Sequence, residues 1–217
     1  MTSTTLSQGT TARFQGLLEG ELIHPGEDGY EEHRRVWNGM IDKRPALIAR
    51  CASLEDVVRT VSFAREEGLL LAVRGGGHSF AGFSTCDKGL VLDLSLMNAI
   101  EVDPERRRAR AGGGVTWSVF DAATHAYGLA TTGGLISTTG IAGLTLGGGI
   151  GWLQRKCGLA CDNLLSVELV TASGDVVRAS AGENPELFWA LRGGGGNFGV
   201  VTAFEFRLHP VSSVLGA

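Results

Sequence analysis

The stretch Leu69-Leu70-Leu71-Ala72-Val73-Arg74-Gly75-Gly76-Gly77-His78-Ser79 decides how the chain is read. Its five consecutive apolar residues are too short a run for an ordinary helix and predict a strand buried on both faces. The strand stops where three glycines begin. A glycine loop leaving the end of a core strand is rigidly mounted, and its backbone N–H groups can converge on an anion. Upstream, Ser53 followed by Asp56 marks a helix start, and Leu54, Val57, Val58, Val61 and Ala64 recur at helical spacing until Gly68. One helix thus feeds directly into the strand and its loop.

Glycine supplies 33 of the 217 residues, about twice ordinary usage. The excess is gathered in three blocks, 74–78, 140–151 (GIAGLTLGGGIG) and 193–199 (GGGGNFG). A single block reads equally well as a tight turn, whereas three in one domain point to an extended ligand that backbone approaches closely. The phosphate-loop pattern G-x-x-x-x-G-K-[ST] is absent, and Gly147-Gly148-Gly149-Ile150-Gly151-Trp152 lacks the third glycine of the dinucleotide fingerprint. An NAD-linked dehydrogenase therefore stands only as a competing reading of the Gly147 block.

Further strands are predicted at 90–94, 99–102 and 108–111, with Asp103-Pro104 turning between the last two. A helix is predicted at 117–127, closed by Gly128. Residues 167–171 and 176–179 flank Ala172-Ser173-Gly174-Asp175 as a hairpin, and Asn184-Pro185-Glu186 starts a helix running to Leu191. Phe204, Phe206 and Leu208 alternate with Glu205 and Arg207, a strand with one wet face. Hairpins and helices without a repeating βα unit predict an α+β fold, with no internal repeat and no interdomain linker.

Composition narrows the function. The net charge is −4, and apart from Arg106, Arg107 and Arg108 the basic residues are scattered, so no field for nucleic acid is built. Residues 1–15 are Ser/Thr-rich without the apolar core of a secretory signal, which reads as a frayed leader on a cytoplasmic protein with no membrane attachment. The four cysteines (Cys51, Cys86, Cys157, Cys161) fit free thiols; Cys157 and Cys161 lack both the spacing and the companion ligands of a zinc clip, and no metal site is expected. Asp121 and His125, four apart on a predicted helix, could serve as a base pair but read better as a solvated contact.

The segment Val73-Arg74-Gly75-Gly76-Gly77-His78-Ser79-Phe80-Ala81-Gly82 resembles the R-x-G-G-H signature of the berberine-bridge-enzyme-like FAD-linked oxidases, in the vanillyl-alcohol-oxidase group of flavoproteins with a PCMH-type FAD-binding domain. Two more segments agree in the right order. Residues 152–163 resemble the family's R-K-Y-G-L-x-x-D-N, and 187–202 resemble its L-F-W-A-x-R-G-G-G-x-N-F-G-V-V-T. The resemblance implies two α+β subdomains with FAD between them, filling 42–210, after a lead-in at 1–41 and before a short end at 211–217. It also implies cofactor contacts from Arg74, Gly75, Gly76, Gly77, His78 and Ser79 around the pyrophosphate. Thr139, Gly140, Gly143, Gly147, Gly148, Gly149 and Gly151 would pass near the flavin and phosphates, and the backbone at Val201 would meet the adenine.

In that family the histidine matching His78 is bonded to the flavin's 8α carbon, chemistry that suits a neutral, nucleophilic imidazole. Ile136 stands where many relatives carry a second, cysteinyl anchor, so one bond is expected. Cys157 replaces the family's tyrosine and is read as a packing residue. The implied activity is hydride transfer from a small-molecule substrate to flavin, with dioxygen as the expected acceptor. The substrate-binding half that follows the FAD domain in the family has no counterpart here, so an FAD-binding fragment without turnover is the alternative, and no catalytic base is assigned.

Overall fold

Ser53 does more than start a helix. Its Oγ accepts the Asp56 N–H at 3.3 Å, and the fully buried Asp56 carboxylate in turn accepts the backbone N–H groups of Glu19 (2.8 Å), Gly20 (2.9 Å) and Ala52 (2.9 Å). One side chain in the first helical turn thus gathers three backbone donors from two other segments. The computed structural model describes residues 6–211. Its first half comprises α1 (Gln8–Gln15), β1 (Glu21–Ile23), α2 (Tyr30–His33), β2 (Leu47–Arg50), α3 (Leu54–Glu66), β3 (Leu71–Arg74) and β4 (Leu90–Asp93). The strands form one sheet in the order β1-β2-β4-β3, in which β4 runs parallel to both β2 and β3 while β1 is antiparallel. Parallel strands need crossovers: α3 supplies the one from β2 to β3, and residues 75–89, which begin with the glycine loop, the one from β3 to β4.

The second half holds β5 (Ile100–Asp103), β6 (Arg108–Gly112), α4 (Trp117–His125), β7 (Leu129–Ala130), α5 (Ile141–Leu146), α6 (Gln154–Cys157), β8 (Leu164–Val170), β9 (Val176–Ser180), α7 (Pro185–Leu191), β10 (Val200–Arg207) and β11 (His209–Pro210). Five strands make an antiparallel sheet in the order β5-β6-β10-β8-β9, and β11 pairs with β7. Phe204 and Phe206 of β10 and Trp117 and Phe120 of α4, all fully buried, meet on one face of this sheet, with Phe120 and Phe206 edge to face at 5.2 Å. The fold is thus α+β in two sheet-based halves, as the sequence implies.

Differences from the sequence reading have physical causes. Of the apolar run only 71–73 lies in a strand, and it is not buried on both faces: β3 is an edge strand on which Ala72 is buried while Val73, like Leu70 before it, is exposed. The last strand begins at Val200, earlier than alternation predicts. Val200 packs against Val57 and Val61 of α3 while Val201 joins the opposite core, so both faces are covered there and the alternation disappears. The stretch around 141–146 forms α5 despite its glycines, with Ile141, Ala142, Thr145 and Leu146 buried. The supposed leader is folded from Gln8 onward: Phe14 of α1 stacks on Phe63 at 4.0 Å and β1 pairs with β2, so the lead-in segment shares the core of the first sheet. Residues 1–5 and the end at 212–217 lie outside the described residues.

Replacing Asp56 by Ala strands three backbone donors and should lower the unfolding free energy by about 3 kcal/mol or more, read as a lower urea midpoint at unchanged slope.

Candidate functional site

Strand β3 delivers the first glycine loop, and Arg74 anchors its departure. The Arg74 guanidinium donates to the His33 carbonyl and lies 3.8 Å from the buried Asp93 carboxylate, its register partner on β4. Its role in the described structure is to brace the loop. Beyond it, the backbone N–H groups of residues 75–79 donate to no acceptor among the described residues. A row of such donors on a rigid turn is a nest for an anion.

The first two glycine blocks lie backbone against backbone. A Cβ on Gly76 would come within 2.2 Å of Gly140 N, and one on Gly140 within 2.4 Å of Gly76 N. Gly75 similarly abuts the Gly113 carbonyl, and Gly113 in turn sits against the carbonyl of the buried Val201. The Val201 carbonyl thus lies beside Gly113, one glycine away from the first loop. Gly151 meets Gly133, and Gly149 meets Ala160 and Leu144. These glycines are needed for packing. Gly143 and Gly148 differ, because added Cβ atoms there would meet nothing within 4 Å, and Gly148 also has φ +106°.

The other blocks are tied into the same unit. The Leu146 carbonyl at the end of α5 accepts from both Gly193 (3.0 Å) and Gly195 (2.9 Å), while the carbonyls of Gly148 and Gly149 accept from Cys161 and Ala160, each at 2.9 Å. Residues 154–163 are a brace for this turn. Asn163 Nδ2 donates to the carbonyls of Cys157 (2.9 Å) and Leu159 (2.8 Å), and Asp162 accepts the Leu159 N–H. Cys157 is half-buried within that brace.

His78 occupies the seam between the first two blocks. Its Nε2 is 3.1 Å from Thr138 Oγ1, its Nδ1 is 3.2 Å from Thr139 Oγ1, and the Trp37 indole stacks on its ring at 5.5 Å with the planes 19° apart. The backbone of Trp37 is itself held by its main-chain N–H on the Gly77 carbonyl at 3.0 Å. Burial pushes the imidazole pKa below its ordinary value, which favours the neutral nucleophilic form. Ser79 Oγ is engaged locally with the Phe83 N–H. Of these neighbours Thr139 was named from sequence; Thr138 and Trp37 were not. Thr138 adjoins a named residue, but nothing in the spacing singles out Trp37, some forty residues from His78 in sequence. Asp121 and His125 make no hydrogen bond or ion pair with each other among the described residues; both are exposed, where a solvated contact returns little for the side-chain order it demands.

These features fit a long anionic cofactor with an attachment point: unpaired amides at one loop, open space at Gly143 and Gly148, and a neutral histidine. A family model for an FAD binding domain matches residues 45–180. The chain belongs to that family. Its cofactor is FAD, and the NAD-linked alternative loses its support. The chain is 47% identical over 192 residues to (R)-6-hydroxynicotine oxidase of Paenarthrobacter nicotinovorans, covering 88% of this chain and 42% of that protein. The solved structure of Physcomitrella patens BBE-like 1 superposes with a TM-score of 0.89 at 33% identity, over 93% of this chain and 45% of the other. Glucooligosaccharide oxidase of Acremonium strictum, described with 6-S-cysteinyl, 8α-N1-histidyl FAD, gives a TM-score of 0.83 at 32% identity over 92% and 42%. The resemblance to berberine-bridge-enzyme-like oxidases therefore holds, and the chain spans less than half the length of these relatives.

Gly76→Ala is expected to abolish soluble folded protein, since backbone must move to admit the methyl. Gly148→Val should instead leave a folded chain, with a strain of about 1–3 kcal/mol, that retains little FAD after gel filtration. Near-normal flavin content in Gly148→Val would show that this turn lies away from the cofactor.

Proposed function

We propose that the chain is the cofactor-holding half of a flavin oxidase that carries FAD on a single covalent bond from His78. The observation that carries this reading is the mounting of His78, a neutral ring fixed on both nitrogens and on one face, within the run of unpaired amides at 75–79. In this reading 75–79 hold the pyrophosphate, 139–151 border the flavin and the Val201 backbone meets the adenine. Ile136, exposed ahead of the second block, offers no sulfur for a second bond.

Bound FAD would take a hydride from a substrate C–H bond and pass the electrons to dioxygen, with release of hydrogen peroxide. The protein's share is placement and exclusion of water. The 47% identity to an enzyme named for 6-hydroxynicotine, against 32% to one named for an oligosaccharide, supports a small nitrogen heterocycle with an oxidisable amine carbon as substrate.

Acid precipitation tests the anchor. Wild-type protein should keep yellow flavin in the pellet, His78→Ala should lose it while remaining folded, and Cys157→Ser should match wild type. Acid-stable flavin in His78→Ala would remove the residue from this role. A binding role without turnover is favoured for the isolated chain by one observation: Trp37, Met40, Phe80 and Phe83, with Leu135, Ile136, Ile150 and Trp152, expose apolar side chains on the loops that carry the site. Exposed apolar patches of several hundred Å² promote association. Sedimentation should show self-association of the 217-residue chain, and a peroxide assay with 6-hydroxynicotine should show little turnover; a monodisperse, active monomer would overturn this expectation.

A further inference from the structure

Three consecutive carbonyls lie behind the turn at Gly148 and Gly149, and buried side chains capture all of them. Asn163 Nδ2 donates to those of Cys157 (2.9 Å) and Leu159 (2.8 Å), and Thr132 Oγ1 donates to that of Gly158 at 2.7 Å. Asn163 and Thr132 are both buried. The next two residues face the other way: the N–H groups of Ala160 and Cys161 donate to the carbonyls of Gly149 and Gly148. Residues 157–161 are therefore a short splint, gripped by side chains on one edge and gripping the glycine turn with the other.

The remaining atom of the Asn163 amide decides how firmly that grip is set. Carbonyls only accept, so the two bonds to Cys157 and Leu159 fix which end of the amide is nitrogen and leave Oδ1 facing His209 Nε2 at 2.6 Å. An amide oxygen also only accepts, so the His209 proton sits on Nε2. Without that donor the buried Oδ1 is unpaired, and turning the amide to relieve it would release both carbonyls. His209 comes from β11, whose pairing with β7 places it beside the segment that carries Thr132. It belongs to none of the glycine blocks.

We propose that His209 is a positioning residue for the FAD site: its Nε2–H locks the Asn163 amide, the amide locks residues 157–161, and these hold the Gly148–Gly149 turn in the shape that accepts the cofactor. The proposal rests on the reading that places 139–151 along the flavin, and adds to it a residue far along the chain. An added Cβ on Gly148 would meet nothing within 4 Å, so on that side no protein atom holds the turn, and Ala160 and Cys161 hold it from behind.

The test is an FAD titration of the chain in a His78→Ala background, in which bound flavin exchanges freely, read by flavin fluorescence and by visible circular dichroism at saturation. His209→Phe keeps a ring and removes the donor; its Kd for FAD should rise ~10-fold, the loss of about one hydrogen bond, with a changed flavin dichroism. His209→Gln carries an N–H to nearly the same point and should return both values to those of the His78→Ala parent. A role confined to stability would lower the urea midpoint of the FAD-free chain and leave Kd and dichroism untouched. That result overturns the proposal, as does failure of glutamine to rescue. Wild-type protein supplies a measurement independent of any variant's folding: long-range proton–nitrogen correlation spectra should show neutral His209 protonated at Nε2, and a proton on Nδ1 instead overturns the proposal. Parent-like FAD affinity in Gly148→Val, or no FAD uptake by the parent, overturns the underlying reading of the site as well.

Discussion

The contact on which the site depends is the meeting of Gly76 and Gly140, two stretches of backbone with no room for a side chain between them. It brings the end of a strand in the first sheet against the start of α5 in the second half. His78 follows the first of these glycines by two residues, and Thr138 and Thr139 immediately precede the second. The three side chains meet because the two backbones do. Hydrogen bonds of 3.1 and 3.2 Å to the ring are therefore consequences of a packing constraint, and they inherit its rigidity.

Glycine consequently has two distinct uses here. At Gly75, Gly76, Gly140 and Gly151 it lets main chain touch main chain, and the element it serves is the protein itself. At Gly143 and Gly148 it leaves space that no protein atom fills. Composition alone merges the two groups, and so does a motif, because both are written with the same letter in the same blocks. Arg74 makes the same point for charge. A cation beside a phosphate-type loop invites a reading as a ligand for the anion, yet in the structure its guanidinium is turned onto Asp93 and the His33 carbonyl.

Much of the architecture was legible in the sequence where burial is one-sided. The amphipathic helix after Ser53 and the alternating end of the last strand both announce themselves through periodicity. Legibility failed where burial is two-sided, as at the start of β10, and where a one-sided helix is written in a glycine-rich stretch, as along α5. It failed also for Gln8–Gln15, where Ser7 is a local cap but the docking comes from the stack of Phe14 on Phe63, which no local pattern encodes. Around His78, Thr139 was named from the sequence, whereas its neighbour Thr138 and Trp37, brought in from far along the chain, were not. Long-range contacts leave no trace in spacing.

The carbonyl of Leu146 has a bearing on how this protein tolerates change. Because it accepts from Gly193 and Gly195 together, while the next turn is held by Cys161 and Ala160, the loops share one fixed point. Three carbonyls within one turn, those of Leu146, Gly148 and Gly149, thereby make three separately written stretches of sequence into one inherited object. Drift in any one stretch has to be matched by the others, so variation in this half of the molecule is cheapest on the outer face of the second sheet, where Arg108, Arg178 and Glu205 trade charge with one another in water.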